Sequence, residues 1–441
     1  MKSNFIRIVV SALALVVTIS AKAQTTPLSL HDCMAYAISH STRMRIQQAV
    51  IGDARIDRRD AALALFTPTI SAQTYAYYNF GRSIDPQTNT YFTTTSFHNN
   101  YDINAGYTLF DGFQAVNNYK ISKTCLQIAQ SMEKQAEADI CLAVMEAYCN
   151  VVYYGRLREV YEEQVATAGT LLQKALRQEE LGQKSHADVV QIEADLADAR
   201  YNLIATANLY ASQKMTLADL MFWPMDEELV IERDVPNVIP DEAGVTPDLI
   251  GGLPALQIAS WQVLNAKREL NTAQWQLLPT VGFYAGWGTS YYTYQGSQTS
   301  SFASQFKNNG GEYIELTLSF PIWSRLSKQS AIRKRRHALE KAQAEYDQKL
   351  REVESEVRRA VQDRDGAGQA FLQAQRKAAV QEEAYTLNLK RLEQGLISPI
   401  EFQTANNNYL RAQADEMNSH LTYYIKQAVV KYYNGIEYIN Q

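Results

Sequence analysis

The chain has 441 residues, with 42 Lys and Arg against 47 Asp and Glu, a formal charge of −5, and 27 Tyr among its aromatics. With 20 Gly, 11 Pro and 4 Cys it is not collagen-like, not a disulfide-stapled miniprotein and not a disordered acidic tail. The acidic balance also excludes a basic nucleic-acid-binding domain, so no nucleic-acid partner is expected.

Residues 1–23 read as a secretory signal peptide. Lys2 and Arg7 make a basic start, Ile8 to Ile19 is apolar, and Ala21-Lys22-Ala23 is a small-x-small cleavage site. The apolar run is shorter than the roughly 20 residues of a spanning helix, which favours a cleaved signal over an anchor. Cleavage removes three cations and no acids, so the mature charge is 39 − 47 = −8. No Cys follows the cleavage site, so lipidation there is not expected. Cys33, Cys125, Cys141 and Cys149 form no Cys-x-x-Cys pair and read as small buried residues. No later apolar run reaches 18 residues, so the exported chain is either soluble or inserted as strands.

Two segments are built for very long helices. Proline is absent from 87 to 223 and from 322 to 398, and glycine from 113 to 154 and from 312 to 365. Proline inside a helix costs about 3 kcal/mol, so these gaps permit helices over 113–180 and 328–393, far longer than globular ones. Val189, Leu196, Leu203, Tyr210 and Leu217 recur at sevens, with Ile192, Ala199 and Leu220 between them. Ile332, Leu339, Tyr346, Val353 and Ala360 form a second such row. Strict sevens predict left-handed supercoiling, and the many small or charged partner positions predict thin, closely packed walls.

Two windows have the period of strands. Residues 75–110 and 283–323 are aromatic-rich and nearly free of charge. Tyr101, Ile103, Ala105, Tyr107 and Leu109 share a face opposite Asp102, Asn104, Gly106 and Thr108. Ile314, Leu316, Leu318 and Phe320 oppose Glu315, Thr317 and Ser319. Each window predicts two strands of about ten residues joined by a polar loop; the alternation suits an apolar face to lipid and a polar face to a wet lumen, and it equally fits a soluble hairpin with one face on a core.

The same order occurs twice. Pro68 and Pro279 lie 211 residues apart, Phe110 and Phe320 210, and Gly182 and Gly395 213. This gives a first repeat over 24–223, a proline-rich crossover over 224–254, a second repeat over 255–434 and a tail over 435–441. The strand pairs fall near 70–110 and 280–320, and the helix-hairpin tips near 182 and 395.

With this duplicated layout, Leu109-Phe110-Asp111-Gly112 after a strand and two Gly-x-x-Ser-x-x-Asp/Glu turns, the chain resembles the outer membrane efflux protein family, the TolC-like channel-tunnels. The second strand exit, Ser319-Phe320-Pro321-Ile322-Trp323, departs from the first. The resemblance implies a mainly α fold with a transmembrane β part. Long coiled-coil helices would form a periplasmic α-barrel, and four strands per chain would join a 12-stranded barrel in a homotrimer. The implied function is passive conduction from the periplasm to the exterior as the outer-membrane channel of a tripartite efflux or secretion system, with an iris-like periplasmic entrance. The implied partners are outer-membrane lipid, a periplasmic adaptor and an inner-membrane pump of proton-driven or ABC type. Gly182, Ser185, Gly395, Leu396 and Ser398 fall on the adaptor-facing tips. The two Gly read equally as helix C-caps and the two Ser as N-caps. Glu401 falls on the family's acidic gate position, Thr404 replaces a second acid one turn later, and Asp188 is the first-repeat counterpart. A first-turn acid favouring the helix dipole is the other reading of Glu401. Arg333-Lys334-Arg335-Arg336 reads as a solvated helix start near lipid headgroups.

No enzyme is expected. The six His form no His-x-x-x-His pair, and neither a Gly-x-Ser-x-Gly elbow nor a Gly-x-Gly-x-x-Gly loop is present. No cofactor and no metal are expected. A soluble periplasmic coiled-coil adaptor or structural protein is the alternative. It accounts for the helices but not for the Tyr-rich strand pairs.

Overall fold

The computed structural model describes residues 27–84, 89–233, 235–236, 244–245, 247–295 and 298–441. The signal peptide predicted at 1–23 and part of the predicted crossover lie outside the described residues. In chain order the elements are α1 (Leu30–His40), α2 (Thr42–Leu63), β1 (Thr69–Ile84), β2 (Tyr91–Phe110), α3 (Gln114–Glu180) and α4 (His186–Met221). After a short 3-10 helix come α5 (Pro254–Trp275), β3 (Thr280–Tyr294), α6 (Phe302–Asn308), β4 (Gly311–Ser319), α7 (Ser327–Glu393) and α8 (Pro399–Tyr433). The proline and glycine gaps become α3 and α7, each of 67 residues. No helix among the described residues is long and apolar enough to cross a membrane.

The chain divides into two compact units, each drawn from both halves of the sequence. The sheet unit comprises Ile46–Gln135 and Ile250–Ser355. Its four strands form an antiparallel sheet in the order β1-β2-β3-β4. Directly paired residues share a face, so the register fixes both surfaces. Ile70 pairs with Ala105, Ile103 with Trp287, Ala105 with Ala285, Tyr107 with Phe283, Phe283 with Leu316 and Ala285 with Ile314. That face is apolar up to Glu312, which pairs with Trp287 at its margin. The opposite face carries Ser71, Asn104, Gly286 and Tyr313 in one row. Glycine is needed in this row, because a Cβ on Gly286 would stand 2.4 Å from the Tyr313 ring and 2.7 Å from Asn104 Oδ1. The Tyr313 hydroxyl donates to Asn104 Oδ1 at 3.0 Å.

Three strands exceed the expected ten or so residues, at 16, 20 and 15, while β4 has 9. One-to-one pairing of β1 with β2 continues from Thr69↔Gly106 to Ile84↔Tyr91, because Tyr, Thr and Asn keep extended geometry after the apolar alternation ends. The second window also holds more than a polar loop. Its connection contains α6, whose Gln305 is buried at 4% exposure. Gln305 Nε2 donates to the Tyr292 and Ser300 carbonyls at 2.9 and 2.8 Å, while its Oε1 accepts from Tyr292 N at 3.0 Å. Phe302 and Phe306 of α6 meet Tyr101 edge-on.

The Leu-Phe-Asp-Gly motif acquires a local physical role. Asp111 Oδ2 accepts from Ala115 N at 2.6 Å and so caps the start of α3. Gly112 lets the chain pass Trp275, whose carbonyl oxygen would lie 2.6 Å from an added Cβ. Further along α3, Leu126 and Ala129 are buried with Ile51 and Ala54 of α2. Cys125, expected to be buried, is exposed. It precedes Leu126 by one residue, and a helix turns each successive side chain by about 100° off the packed face.

The helical unit comprises the described residues of Met1–Arg45, Ala136–Leu249 and Glu356–Gln441. Its main core gathers Cys33 and Met34 of α1, Val144, Tyr148 and Val151 of α3, Leu217 and Met221 of α4, and Leu421 of α8. Cys33, Cys141 and Cys149 are buried there as free thiols. Burial pushes each thiol up to about 12, which keeps it protonated and inert at neutral pH. The Tyr148 hydroxyl donates to the Glu232 carbonyl at 3.0 Å, which ties the crossover to the core. Along α4, Val189, Ile192, Leu196, Ala199 and Leu217 are buried, but Leu220 is exposed where the seven-residue row ends. On α7 a buried row at sevens runs Val357, Arg364, Phe371 and Ala378.

Candidate functional site

α3 and α4 form one helical hairpin, and α7 and α8 form the other. Their tips have the same backbone construction. α3 ends in a left-handed glycine, Gly182, at φ +67°, and α7 in Gly395 at φ +71°. At the first tip Gln183 N donates to Gln178 O at 2.8 Å and Gly182 N to Glu179 O at 2.8 Å. At the second, Leu396 N donates to Arg391 O at 2.9 Å and Gly395 N to Leu392 O at 3.0 Å. This pattern satisfies carbonyls at a helix end and requires a residue that tolerates positive φ.

Three residues after each glycine, serine starts the return helix. Ser185 Oγ accepts from Asp188 N at 3.1 Å, and Ser398 Oγ accepts from Glu401 N at 3.3 Å. Here the two tips diverge. At the first, Ser185 Oγ also donates to Asp188 Oδ2 at 2.8 Å, which engages that carboxylate. At the second, Pro399 occupies the first helical turn, and the Glu401 side chain has no hydrogen bond or ion pair among the described residues. Glu401 and Thr404 are both exposed, one turn apart. Thr404 Oγ1 donates back to the Ile400 carbonyl at 3.1 Å. Leu181 and Leu396 are exposed at 59% and 65%. No hydrogen bond or ion pair among the described residues joins Asp188 to Glu401 or Thr404. Each acid is placed by its own helix start, where the dipole favours it.

Several elements behind the tips have no short-range signal in the sequence. Lys174 of α3 pairs with Glu393 of α7 at 3.0 Å and links the two hairpins. A cavity of about 230 Å³ lies among all four helices, bounded in part by Leu171, Ile192, Leu392 and Phe402. Tyr385 and Tyr409 stack in its wall, with ring centroids 5.0 Å apart and planes at 20°. Burial raises both phenols, and the Glu163 carboxylate raises them further; Glu382 adds to the effect at Tyr409. Asp195 is raised by burial, partly offset by Gln191, whose Nε2 donates to it at 3.1 Å. The periodicity marked Ile192 as a packed position, but nothing local pointed to the acids and rings around it.

The profile of the outer membrane efflux protein family matches residues 41–221 and 247–432. The chain belongs to the outer membrane efflux protein family. The two matched stretches leave out 222–246 and include both hairpin tips and all four strands. Among curated proteins none matches the chain. Solved structures share its fold. The CmeC outer membrane channel of Campylobacter jejuni has a TM-score of 0.78 at 14% identity, over 93% of this chain and 85% of that one. VceC from Vibrio cholerae has a TM-score of 0.74 at 16% identity, over 92% and 96%. The MtrE outer membrane channel of Neisseria gonorrhoeae, solved in its open state, has a TM-score of 0.74 at 15% identity, over 92% and 88%. The family is one of outer-membrane efflux channels rather than of enzymes, and this chain has the long helices and four-stranded sheet of those structures.

Proposed function

We propose that this efflux protein is the outer-membrane channel of a tripartite efflux or secretion system and conducts substrates passively from the periplasm to the exterior. The observation that carries the reading is the sheet. Its order leaves β1 and β4 as edges, and its apolar face is uncovered in one chain. Open edges in hydrocarbon cost several kcal/mol per unpaired group, and known single-chain barrels start at about eight strands. Four strands per chain therefore require partner chains, and three chains make the 12-stranded barrel that the family resemblance implies. In this reading a cleaved signal at 1–23 exports the chain, and 24–223 and 255–434 are two copies of one unit.

The hairpin tips are the docking surface for a periplasmic adaptor, which joins the channel to an inner-membrane pump. Gly182, Ser185, Gly395, Leu396 and Ser398 shape that surface, and exposed Leu181 and Leu396 supply its apolar contact. Glu401 is the gate residue of an iris-like entrance. Repeated by threefold symmetry, its unpaired carboxylate forms a ring that attracts cations. Thr404, bonded to its own helix, contributes no charge, and Asp188, engaged by Ser185, is the weaker candidate.

Single-channel recording in planar bilayers tests the gate. The wild type should be cation-selective and blocked by divalent ions, and Glu401→Ala should lose much of both properties. Unchanged selectivity and block would remove Glu401 from the gate. Chemical cross-linking of the purified protein tests the assembly: a trimer is expected, and a monomer overturns the barrel.

A further inference from the structure

We propose that the cavity behind the tips is a binding site for a small organic cation, such as an alkylammonium, held by Glu163, Asp195 and Glu382 against the stacked rings of Tyr385 and Tyr409. The first support is charge. These three carboxylates line one cavity whose wall contains no Lys, Arg or His. Glu163 and Glu382 have no ion pair or hydrogen bond among the described residues, and Asp195 has only the amide of Gln191. Glu163 and Glu382 are exposed and Asp195 is half-buried, so the three acids give this one opening a concentrated negative field that attracts a cation from solution.

The second support is independent of the acids. Asn406 of α8 lines the cavity at 9% exposure, and its amide has no hydrogen-bond partner among the described residues. The donor and acceptor of this amide are therefore free for an occupant of the cavity. Gln164 Oε1, on the same wall, is also buried without a partner in the protein.

The kind of cation follows from the shape and the walls. No group of three His, Cys, Asp or Glu among the described residues converges tightly enough to hold a metal ion. The carboxylates instead surround a space of about 230 Å³ whose other walls mix apolar and aromatic side chains with neutral amides and hydroxyls such as Asn406, Gln164 and Thr386. That volume lies just below the roughly 300–1,000 Å³ of drug-sized pockets, which suits a compact ligand. Aromatic faces attract large, weakly hydrated cations, and quaternary ammonium groups are the usual case. Glu163 and Asp195 come from the first hairpin and Glu382 from the second, so an occupant bridges the two, as Lys174 and Glu393 do nearby. The inference concerns one chain's own helices and does not depend on the channel reading.

Calorimetry on the purified full-length protein in detergent tests it, with benzyltriethylammonium as probe and benzenesulfonate as the anionic match. Saturable binding of one ammonium per chain is expected, with none for the sulfonate. Glu382→Gln and Asp195→Asn should each weaken binding by about 10-fold, the scale of one charge-assisted contact. Tyr409→Phe keeps the ring and should bind as the wild type does, whereas Tyr409→Leu should not. Glu340→Gln, an exposed acid on α7 outside the cavity, should leave binding unchanged and serves as the folded control. Equal binding of the sulfonate, no binding of the ammonium, or wild-type affinity in both acid variants would overturn the site. None of these results bears on conductance, so this inference and the channel reading fail separately.

Discussion

On β4, Ile314, Leu316 and Leu318 are exposed at 79%, 67% and 56%, and their neighbours on the paired strand carry no charge. On the α7–α8 hairpin isolated apolar residues such as Leu387 are exposed among many Lys, Arg, Glu and Asp, with cross-helix pairs such as Lys377–Asp415 at 2.8 Å and Lys426–Asp363 at 3.0 Å. The two regions answer opposite solvation demands. The helices bury a narrow row of Ala, Val and Phe and leave charge outside, as any surface in water does. The sheet does the reverse on one face, so that face makes sense only against lipid. In a water-soluble protein an uncovered patch of that kind would be an aggregation site.

The largest expected effect tests that contrast directly. Leu316→Lys on the apolar face should cost roughly 2–4 kcal/mol near the bilayer midplane. Leu387→Lys, at an exposed leucine of α7, should change stability by no more than about 0.5 kcal/mol. Urea unfolding in lipid vesicles measures both, and equal costs would break the comparison.

Next come the tips, where backbone geometry rather than solvent dominates. Gly182→Ala and Gly395→Ala meet open space but sit at positive φ, so each should lose about 1–2 kcal/mol locally. Gly52→Ala, in the interior of α2 with equally open space, should gain roughly 0.5–1 kcal/mol. Hydrogen exchange of the tip and helix amides reads both signs.

A smaller effect separates the two tips. Ser185→Ala should cost about 1 kcal/mol, since it removes the cap and the bond to Asp188 together. Ser398→Ala should cost less, because Pro399 already fixes the first helical φ. Faster exchange at the Asp188 amide than at the Glu401 amide, each in its own variant, is the expected result.

The smallest effect concerns charge inside the helical wall. Burial, and then the neighbouring Glu382, raise the Glu416 carboxyl above its ordinary 4.5. A raised acid binds its proton more tightly in the folded state, so ionised Glu416 opposes folding at neutral pH. Glu416→Gln should therefore raise thermal stability at pH 7. The gain should shrink as pH falls through the raised range towards 4.5, where the wild type is also neutral. A gain that grows at low pH would reverse the sign.

Features set by a few neighbouring residues were legible in the sequence. Helix length follows from missing Pro and Gly, the strand faces from alternation between Tyr101 and Leu109, and the tips from Gly and Ser at fixed spacing. Each of these depends on φ/ψ preferences or on caps that close within about one turn. The tertiary structure alone decided what depends on distant partners. It set the register that places Ala105 beside Ala285, the exposure of Cys125, the helix α6 anchored by Gln305, and the link from Lys174 to Glu393 across 219 residues. The cavity of Glu163, Asp195 and Glu382 belongs to the same class, because its walls come from four helices and no local pattern records which faces meet. Local sequence specifies the conformation of each segment, whereas the pairing of faces is settled only by packing the whole chain at once.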